Sequence, residues 1–155
     1  MSKNSGPPPL EDQLCHSIYS AGMAIQRLYK PLLDSLGLTY PQYLVLNVLW
    51  KQDRQTVGSI AHGLGLESST LTPMLKRLEA AGVVSRFRNP ENEREVLVEL
   101  TPLGRALKNR SACLGDALLQ ASGATPAQLA DLNRSVVKLR DALSGGLGSE
   151  GSPDA

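Results

Sequence analysis

Two cysteines, Cys15 and Cys113, are the residues of this chain best suited to covalent chemistry. Only the thiolate is a strong nucleophile, and a free thiol with a pKa of about 8.5 is mostly protonated at neutral pH, so a reactive cysteine needs stabilising neighbours. Tyr19 follows Cys15 by four residues, which on a helix is one turn along the same face. A phenolic hydroxyl can donate to a thiolate without bringing a charge. A small buried hydrophobe is the alternative for Cys15, because free cysteine is often used that way.

The sequence contains no arrangement typical of a metal, cofactor or hydrolytic site. His16 and His62 are far apart, and neither stands at metal-ligand spacing from a cysteine. There is no glycine loop that could cradle a phosphate and no Ser, His and Asp set that can be placed together. We therefore expect no metal and no cofactor.

Composition indicates a soluble globular chain. Its 155 residues, 41% hydrophobic and 20% charged, fit one domain with its own core. A net charge of +1 means that any contact with nucleic acid must come from a local patch. Since neither a secretory signal nor an apolar run of about 20 residues is present, we expect a reducing, cytoplasmic location and no membrane partner.

The chain ends differ in composition from the middle. Residues 1–9 contain three successive prolines, and residues 144–155 are rich in Gly and Ser. We expect both segments to be disordered tails around a single domain over residues 10–143.

Hydrophobic periodicity predicts a mainly α fold with one small β-hairpin. The predicted helices begin near Leu14, Pro41, Thr56, Ser69, Pro102 and Pro126, and the first four end near Gly37, Trp50, His62 and Ala81. Two strands, Val83–Arg88 and Arg94–Leu100, are joined by a turn over Asn89–Asn92.

This order of elements is that of a winged helix-turn-helix, in which one helix lies in the major groove and a basic hairpin reaches the minor groove or backbone. The candidate DNA contacts are Ser68, Ser69, Thr70, Thr72, Lys76 and Arg77 on the fourth helix, and Arg86, Arg88 and Arg94 in the hairpin. Taken without the order of elements, the same residues could be helix caps and a solvated hairpin face.

The segments SSTLTPMLKRLEAAGVVSR and NPENEREVLVELTPLGRAL resemble the recognition helix and wing of MarR-type transcription regulators. The resemblance extends from the first predicted helix to the last. In that family the wing tip carries Asp-x-Arg, which corresponds here to Asn92 and Arg94, so an amide replaces the acid. The family dimerises through its first and last helices. The resemblance therefore implies a homodimer that binds double-stranded DNA at a pseudo-palindromic site.

The segments DQLCHSIYSAGMAIQRLYKPLL and LTYPQYLVL resemble the organic hydroperoxide resistance regulators within that family. The resemblance implies that Cys15 is the peroxide sensor and that Tyr19, Tyr29 and Tyr40 form its pocket. Tyr29 lies about 21 Å from Cys15 along a straight helix. If Tyr29 binds the sulfur, it must therefore come from the second subunit. The implied signal is an organic hydroperoxide, and the implied outcome is release of DNA by an oxidised repressor.

Cys113 does not match the resolving thiol of the two-cysteine members, whose position aligns with Gln120. Two roles stay open for it: it resolves oxidised Cys15, or it is inert while a small cellular thiol forms the mixed disulfide.

Two other functions are also open for the protein. One is a regulator of the same fold that responds to a small aromatic or lipophilic ligand. The other is a thiol peroxidase, which is disfavoured because no cation adjoins Cys15 to assist cleavage of the O–O bond. We therefore expect a regulator and not an enzyme.

Overall fold

The computed structural model describes residues 6–147, and it consists mostly of helices with one small antiparallel sheet. The helices are α1 (Leu14–Leu36), α2 (Tyr40–Lys51), α3 (Val57–Leu64), α4 (Ser68–Ala80), α5 (Pro102–Arg110), α6 (Cys113–Ser122) and α7 (Pro126–Leu147). The strands are β1 (Gln55–Thr56), β2 (Val84–Asn89) and β3 (Asn92–Leu100). The predicted fold class, mainly α with a hairpin wing, is confirmed.

Local signals account for the ends of α1 and α2. Gly37 ends α1 in the left-handed conformation (φ 70°), which glycine adopts without strain. Thr39 caps α2 in a capping box with Gln42, and Pro41 occupies the first turn, where its missing N–H is harmless. These two signals place the turn between the helices within a few residues of where the sequence predicts it.

The start of α4 differs from the prediction. Ser68, Ser69 and Thr70 were expected to cap the helix, but Glu67 is the N-cap residue and no side chain caps it. Pro73 lies in the second turn of the helix. Helix α3 likewise continues through Gly63 and ends only at Gly65, whose φ is 66°.

The sheet has the strand order β1-β3-β2, with both pairs antiparallel. Strands β2 and β3 form the predicted hairpin, with Phe87 opposite Leu97. The two-residue strand β1 was not predicted, and it pairs Thr56 with the other side of Leu97. We call the β2–β3 hairpin the wing.

The core fills the space between α2, α3, α4 and the wing. Its fully buried side chains include Leu46, Leu49, Ile60, Leu71, Leu75, Leu78 and Val98. Because α4 buries one face while Ser68, Ser69, Thr70 and Lys76 stay exposed, the core fixes which face of α4 points outward.

Three helices follow the wing where the sequence predicted two. The break after α5 lies at Ser111, which is buried and whose hydroxyl donates to the carbonyl of Lys108. Such a local bond competes with the helical ladder and favours a turn. Helix α7 continues to Leu147, so residues 144–147 of the predicted tail are helical. Two glycines near its end lower helix propensity by about 1 kcal/mol each but do not by themselves end a helix.

The described chain divides into two compact units, residues 6–114 and 115–147. The first holds α1 to α5, the wing and the start of α6, and the second holds the rest of α6 and α7. A single domain over residues 10–143 remains a prediction. Most of the predicted tails, residues 1–5 and 148–155, lie outside the described residues.

Candidate functional site

The continuous helix α1 carries Cys15, Tyr19 and Tyr29. Cys15 is exposed near its N-terminus, and Tyr19 is also exposed, at 65% of its surface. Tyr29 is buried, at 8%. Within one protomer, Cys15 and Tyr29 are thus about 21 Å apart along the helix axis. The structure places them on the same element and does not bring them together.

Two of the predicted pocket tyrosines do meet. The rings of Tyr29 on α1 and Tyr40 on α2 pack with centroids 6.2 Å apart. The aromatic row continues along α2, from Tyr40 to Tyr43 at 6.3 Å and from Tyr43 to Trp50 at 6.0 Å. The indole N–H of Trp50 then donates to the carbonyl of Gly104 on α5 at 2.9 Å. The row therefore joins α1, α2 and α5.

Burial keeps these phenols neutral. Desolvation raises the pKa of Tyr29 above its ordinary value of 10.0, and the neighbouring Tyr43 and Tyr40 raise it further. Desolvation and then Tyr43 raise the pKa of Tyr40 in the same way. A neutral phenol keeps its proton at physiological pH, so both hydroxyls remain hydrogen-bond donors.

Cys113 begins α6 and is exposed. Its thiol donates to the carbonyl of Arg110 at 3.4 Å. Within residues 6–147, no group of three or more Cys, His, Asp or Glu side chains is arranged to hold a metal ion.

The predicted DNA-facing side of α4 is exposed. Ser68, Ser69, Thr70, Lys76 and Arg77 lie on the surface, while Thr72 is half-buried with its hydroxyl donating to the carbonyl of Ser68. The helix thus presents small donors near its N-terminus, which is the arrangement that a recognition helix needs in the major groove.

A local hydrogen bond joins Asn92 to the backbone of Arg94 at the wing tip. The side-chain oxygen of Asn92 accepts a hydrogen bond from the backbone N–H of Arg94 at 3.2 Å. A carboxylate could accept the same bond, so the amide preserves this local turn. Arg88 links the two strands, because its guanidinium donates to the carbonyl of Glu93 at 2.9 Å.

Arg86 is committed to a different partner. Glu79 on α4 accepts from the Arg86 guanidinium and from its backbone N–H, both at 3.1 Å. The Arg86 side chain is 21% exposed. This double contact fastens the wing to α4, so Arg86 is better suited to positioning the wing than to the predicted DNA contact.

Comparison with known proteins identifies the family of this chain. The family model "Transcriptional regulator SarA/Rot" matches residues 27–111. The regulator TtmR of Methylorubrum extorquens is 43% identical over 96% of this chain and 76% of its own length. The organic hydroperoxide resistance regulator of Bacillus subtilis is 41% identical over 86% of this chain and 91% of its own. The chain belongs to the MarR family, in its organic hydroperoxide resistance branch.

Solved structures agree with this assignment. Reduced AbfR bound to DNA, from Staphylococcus epidermidis, is 34% identical and superposes with a TM-score of 0.73 over 89% of this chain and 94% of its own. The MarR-family chain is therefore a DNA-binding transcriptional regulator with a winged helix-turn-helix, and it belongs to a family without enzymatic activity. No helix within residues 6–147 is long and apolar enough to span a bilayer.

Two residues that contact the wing of this MarR-family chain were missed in the sequence analysis. Glu79 was not among the predicted site residues, although its position seven residues before Arg86 offers a signal for a helix-to-wing pair. Arg54 was not considered, and no motif in the sequence identifies it. It precedes β1, and its guanidinium lies over the Phe87 ring of the wing.

The Glu79 pair gives a pH-dependent prediction. Hydrogen bonding to Arg86 lowers the pKa of Glu79 below its ordinary value. The pair therefore stabilises the fold fully above the unfolded-state pKa, and this contribution is lost as the pH falls through the lower folded-state pKa. We expect Glu79→Gln to lower the thermal midpoint at neutral pH and to match the wild type once the pH falls below the folded-state pKa of Glu79. Thermal unfolding measured across pH checks this, and a constant difference at every pH would contradict it.

Proposed function

We propose that this MarR-family regulator represses transcription while Cys15 is reduced and leaves its operator when an organic hydroperoxide oxidises that thiol. The observation that carries the proposal is the placement of the phenols. Tyr29 and Tyr40 form one neutral pair, and that pair is out of reach of Cys15 on the same chain. A thiol near the start of α1 and a phenol about 21 Å further along the same helix meet only if a second α1 packs against the first.

Exposed apolar side chains support such a dimer. In residues 6–114 five of them lie on α1 or just before it, namely Leu10, Leu14, Ile18, Tyr19 and Met23, and the other two are Leu66 and Leu103. In residues 115–147 they are Leu132, Val136 and Leu143 on α7. Apolar stripes of this kind are typical of protein interfaces, and a second copy of the chain is the partner that the family supplies. Cys15 lies within the α1 stripe, so dimerisation would place it at the interface.

The sensing step follows from thiol chemistry. The Cys15 thiolate attacks one peroxide oxygen, an S–O bond forms as the O–O bond breaks, and the sulfur loses two electrons. The organic part leaves as an alcohol after taking a proton. A thiol then condenses with the sulfenic acid to give a disulfide and water. Both products lack the anion that the phenols stabilise, so the contacts across the dimer interface are lost.

The free energy needed to weaken operator binding is small. A hundredfold loss of operator affinity needs about 2.7 kcal/mol of preference for the free state. Hydrogen bonds to charged groups contribute about 1.5–3 kcal/mol each. Losing one or two such bonds per thiolate is therefore enough, provided that the bonded arrangement is the one that binds DNA.

AbfR supports a redox signal, because structures are known both of its reduced, DNA-bound form and of its disulfide form. For the second step in this chain, Cys113 is exposed and thus accessible to chemistry. Both of its possible roles remain: Cys113 resolves oxidised Cys15, or it is inert while a small cellular thiol forms the mixed disulfide.

The test is a hydroperoxide titration of the reduced protein on palindromic promoter DNA. We expect stoichiometric cumene hydroperoxide to weaken DNA binding by about a hundredfold. Mass spectrometry of the same samples should show that Cys15 is oxidised. The Cys15→Ser variant should bind DNA like the reduced wild type and stay bound. Cys113→Ser keeps the proposed sensor and separates the two roles of the second thiol: release like that of the wild type would make Cys113 inert, and weaker release would make it the resolving thiol. Release of Cys15→Ser from DNA by peroxide would exclude sensing through this residue.

A cavity supports the ligand-responsive alternative. Its volume is about 470 Å³, and it lies between α1 and the start of α2. Its walls combine apolar groups with Arg27 and with the ion pair of Lys30 and Asp34, and they also include Met23, Leu33, Leu38 and Tyr40. A small aromatic or lipophilic ligand would fit this chemistry. Release of the Cys15→Ser variant by such a compound, and not by hydroperoxide, would favour this function.

A further inference from the structure

Arg54 has an unusual backbone. Within residues 6–147 it is the one residue other than glycine with a positive φ, at 55°. Asp53 holds the turn, because its carboxylate accepts from the N–H of Arg54 at 2.8 Å and from that of Leu100 at 2.9 Å. A strained conformation at a residue with a long charged side chain suggests that the side chain is needed where it lies.

The Arg54 side chain lies on the wing. Its guanidinium carbon is 5.2 Å from the centroid of the Phe87 ring on β2. Thr56 and Phe87 both pair with Leu97, one from each side, so these three residues form one row across the sheet. The opposite face of the sheet faces the core through Val98. Arg54 therefore covers the outer face of the wing.

The guanidinium is not neutralised by a carboxylate. The five ion pairs found within the described residues do not include Arg54. A shallow cavity adjoins it, lined by Arg54, Leu97 and the turn residues Asn89, Pro90 and Glu91. The Glu91 carboxylate lines this cavity beyond ion-pair distance. A charged, pre-positioned guanidinium thus faces a cavity beside the wing tip.

We propose that Arg54 binds a DNA backbone phosphate next to the groove that the wing enters. A guanidinium already held over a ring loses little freedom on binding, and its planar donors match phosphate oxygens. The contact carries no base information, so it adds affinity at every sequence. This inference rests on DNA binding alone and is independent of peroxide sensing.

Salt dependence distinguishes a phosphate contact from a structural brace. Each phosphate that a protein neutralises contributes about 0.9 to the slope of log affinity against log salt concentration. With one Arg54 per protomer, Arg54→Gln should reduce the slope of the dimer by about 2 and the affinity by about tenfold at physiological salt. Arg54→Lys keeps the charge and should retain most of the slope.

The measurement is fluorescence anisotropy of the reduced, full-length protein on a labelled duplex of random sequence, over a series of KCl concentrations. Lys138→Gln is the control, because it removes the same charge from an exposed position on α7. Its slope should equal that of the wild type. Thermal midpoints of all variants confirm that each is folded. If Arg54→Gln weakens binding with an unchanged slope, or does not weaken it, Arg54 is only a brace for Phe87 and the proposal is wrong.

Discussion

Alanine at Gly104 is expected to destabilise the protein by about 3 kcal/mol or more, at the upper end of overpacking penalties. A Cβ built on Gly104 would lie 2.2 Å from the backbone carbonyl oxygen of Val83. Backbone cannot rotate away as a flexible side chain can, so α5 and the start of the wing must move apart. For a protein of this size the thermal midpoint should fall by roughly 10 °C.

The same substitution should disturb DNA binding. The carbonyl of Gly104 accepts from Trp50, and Thr101 at the start of α5 donates to the carbonyl of Val83. Displacing α5 therefore loosens the base of the wing. Thermal unfolding and anisotropy on duplex DNA check the two effects together.

Gly115→Ala is the matched control for this substitution. Gly115 lies inside α6, and a Cβ there would meet no atom within 4 Å. Alanine should be neutral or stabilise the helix by up to about 1 kcal/mol. A thermal midpoint of Gly104→Ala equal to that of the wild type would show that α5 can shift freely, which contradicts the close packing described above.

Local patterns in the sequence predict most of the fold. The spacing of Leu14, Ile18 and Ile25 predicts α1, and Gly37 marks its end. Alternation at Val96 and Val98 and the turn at Asn89–Asn92 predict the wing. These features depend on residues close together in the chain, so the sequence alone is sufficient.

Features that depend on distant partners were missed. Strand β1 has only two residues, too few for any alternation, and it exists because β3 offers a free edge. The break at Ser111 depends on burial that the sequence does not display. The same limit explains why Arg54 was overlooked, since its role depends on Phe87, thirty-three residues later.

The candidate sensor could be predicted only as a set of residue types. Cys15, Tyr29 and Tyr40 were selected because they resemble a family pattern, and the pairing of the two phenols then follows from the packing of α1 on α2. That one helix keeps Cys15 away from its own Tyr29 follows from helix geometry alone. The partner's contribution to the sensor is thus the central claim of the proposed function.

The reactivity of Cys15 is expected to differ by about tenfold or more between two kinds of mixed dimer, one with the thiol and Tyr29 on different chains and one with both on the same chain. One hydrogen bond from a phenol to a thiolate is worth about 1.5–3 kcal/mol, or about one to two pKa units. Removing it should raise the thiol pKa and slow its reaction at neutral pH accordingly. The question is whether the phenol that matters lies on the same chain as the thiol or on the other.

Two dimers of equal composition answer that question. The first joins a Cys15→Ser chain to a Tyr29→Phe chain, so the remaining thiol and the remaining phenol at position 29 lie on different chains. The second joins an unchanged chain to one carrying both substitutions, so the two groups lie on the same chain. Each dimer keeps one Cys15 and one Tyr29, so differences in composition cannot explain a difference in rate.

The rate of Cys15 oxidation by cumene hydroperoxide, followed by mass spectrometry in both dimers, is the most direct measurement. The account predicts that the first dimer reacts as fast as a wild-type site and that the second reacts about tenfold more slowly. Equal rates, or a faster second dimer, would contradict a sensor shared between subunits.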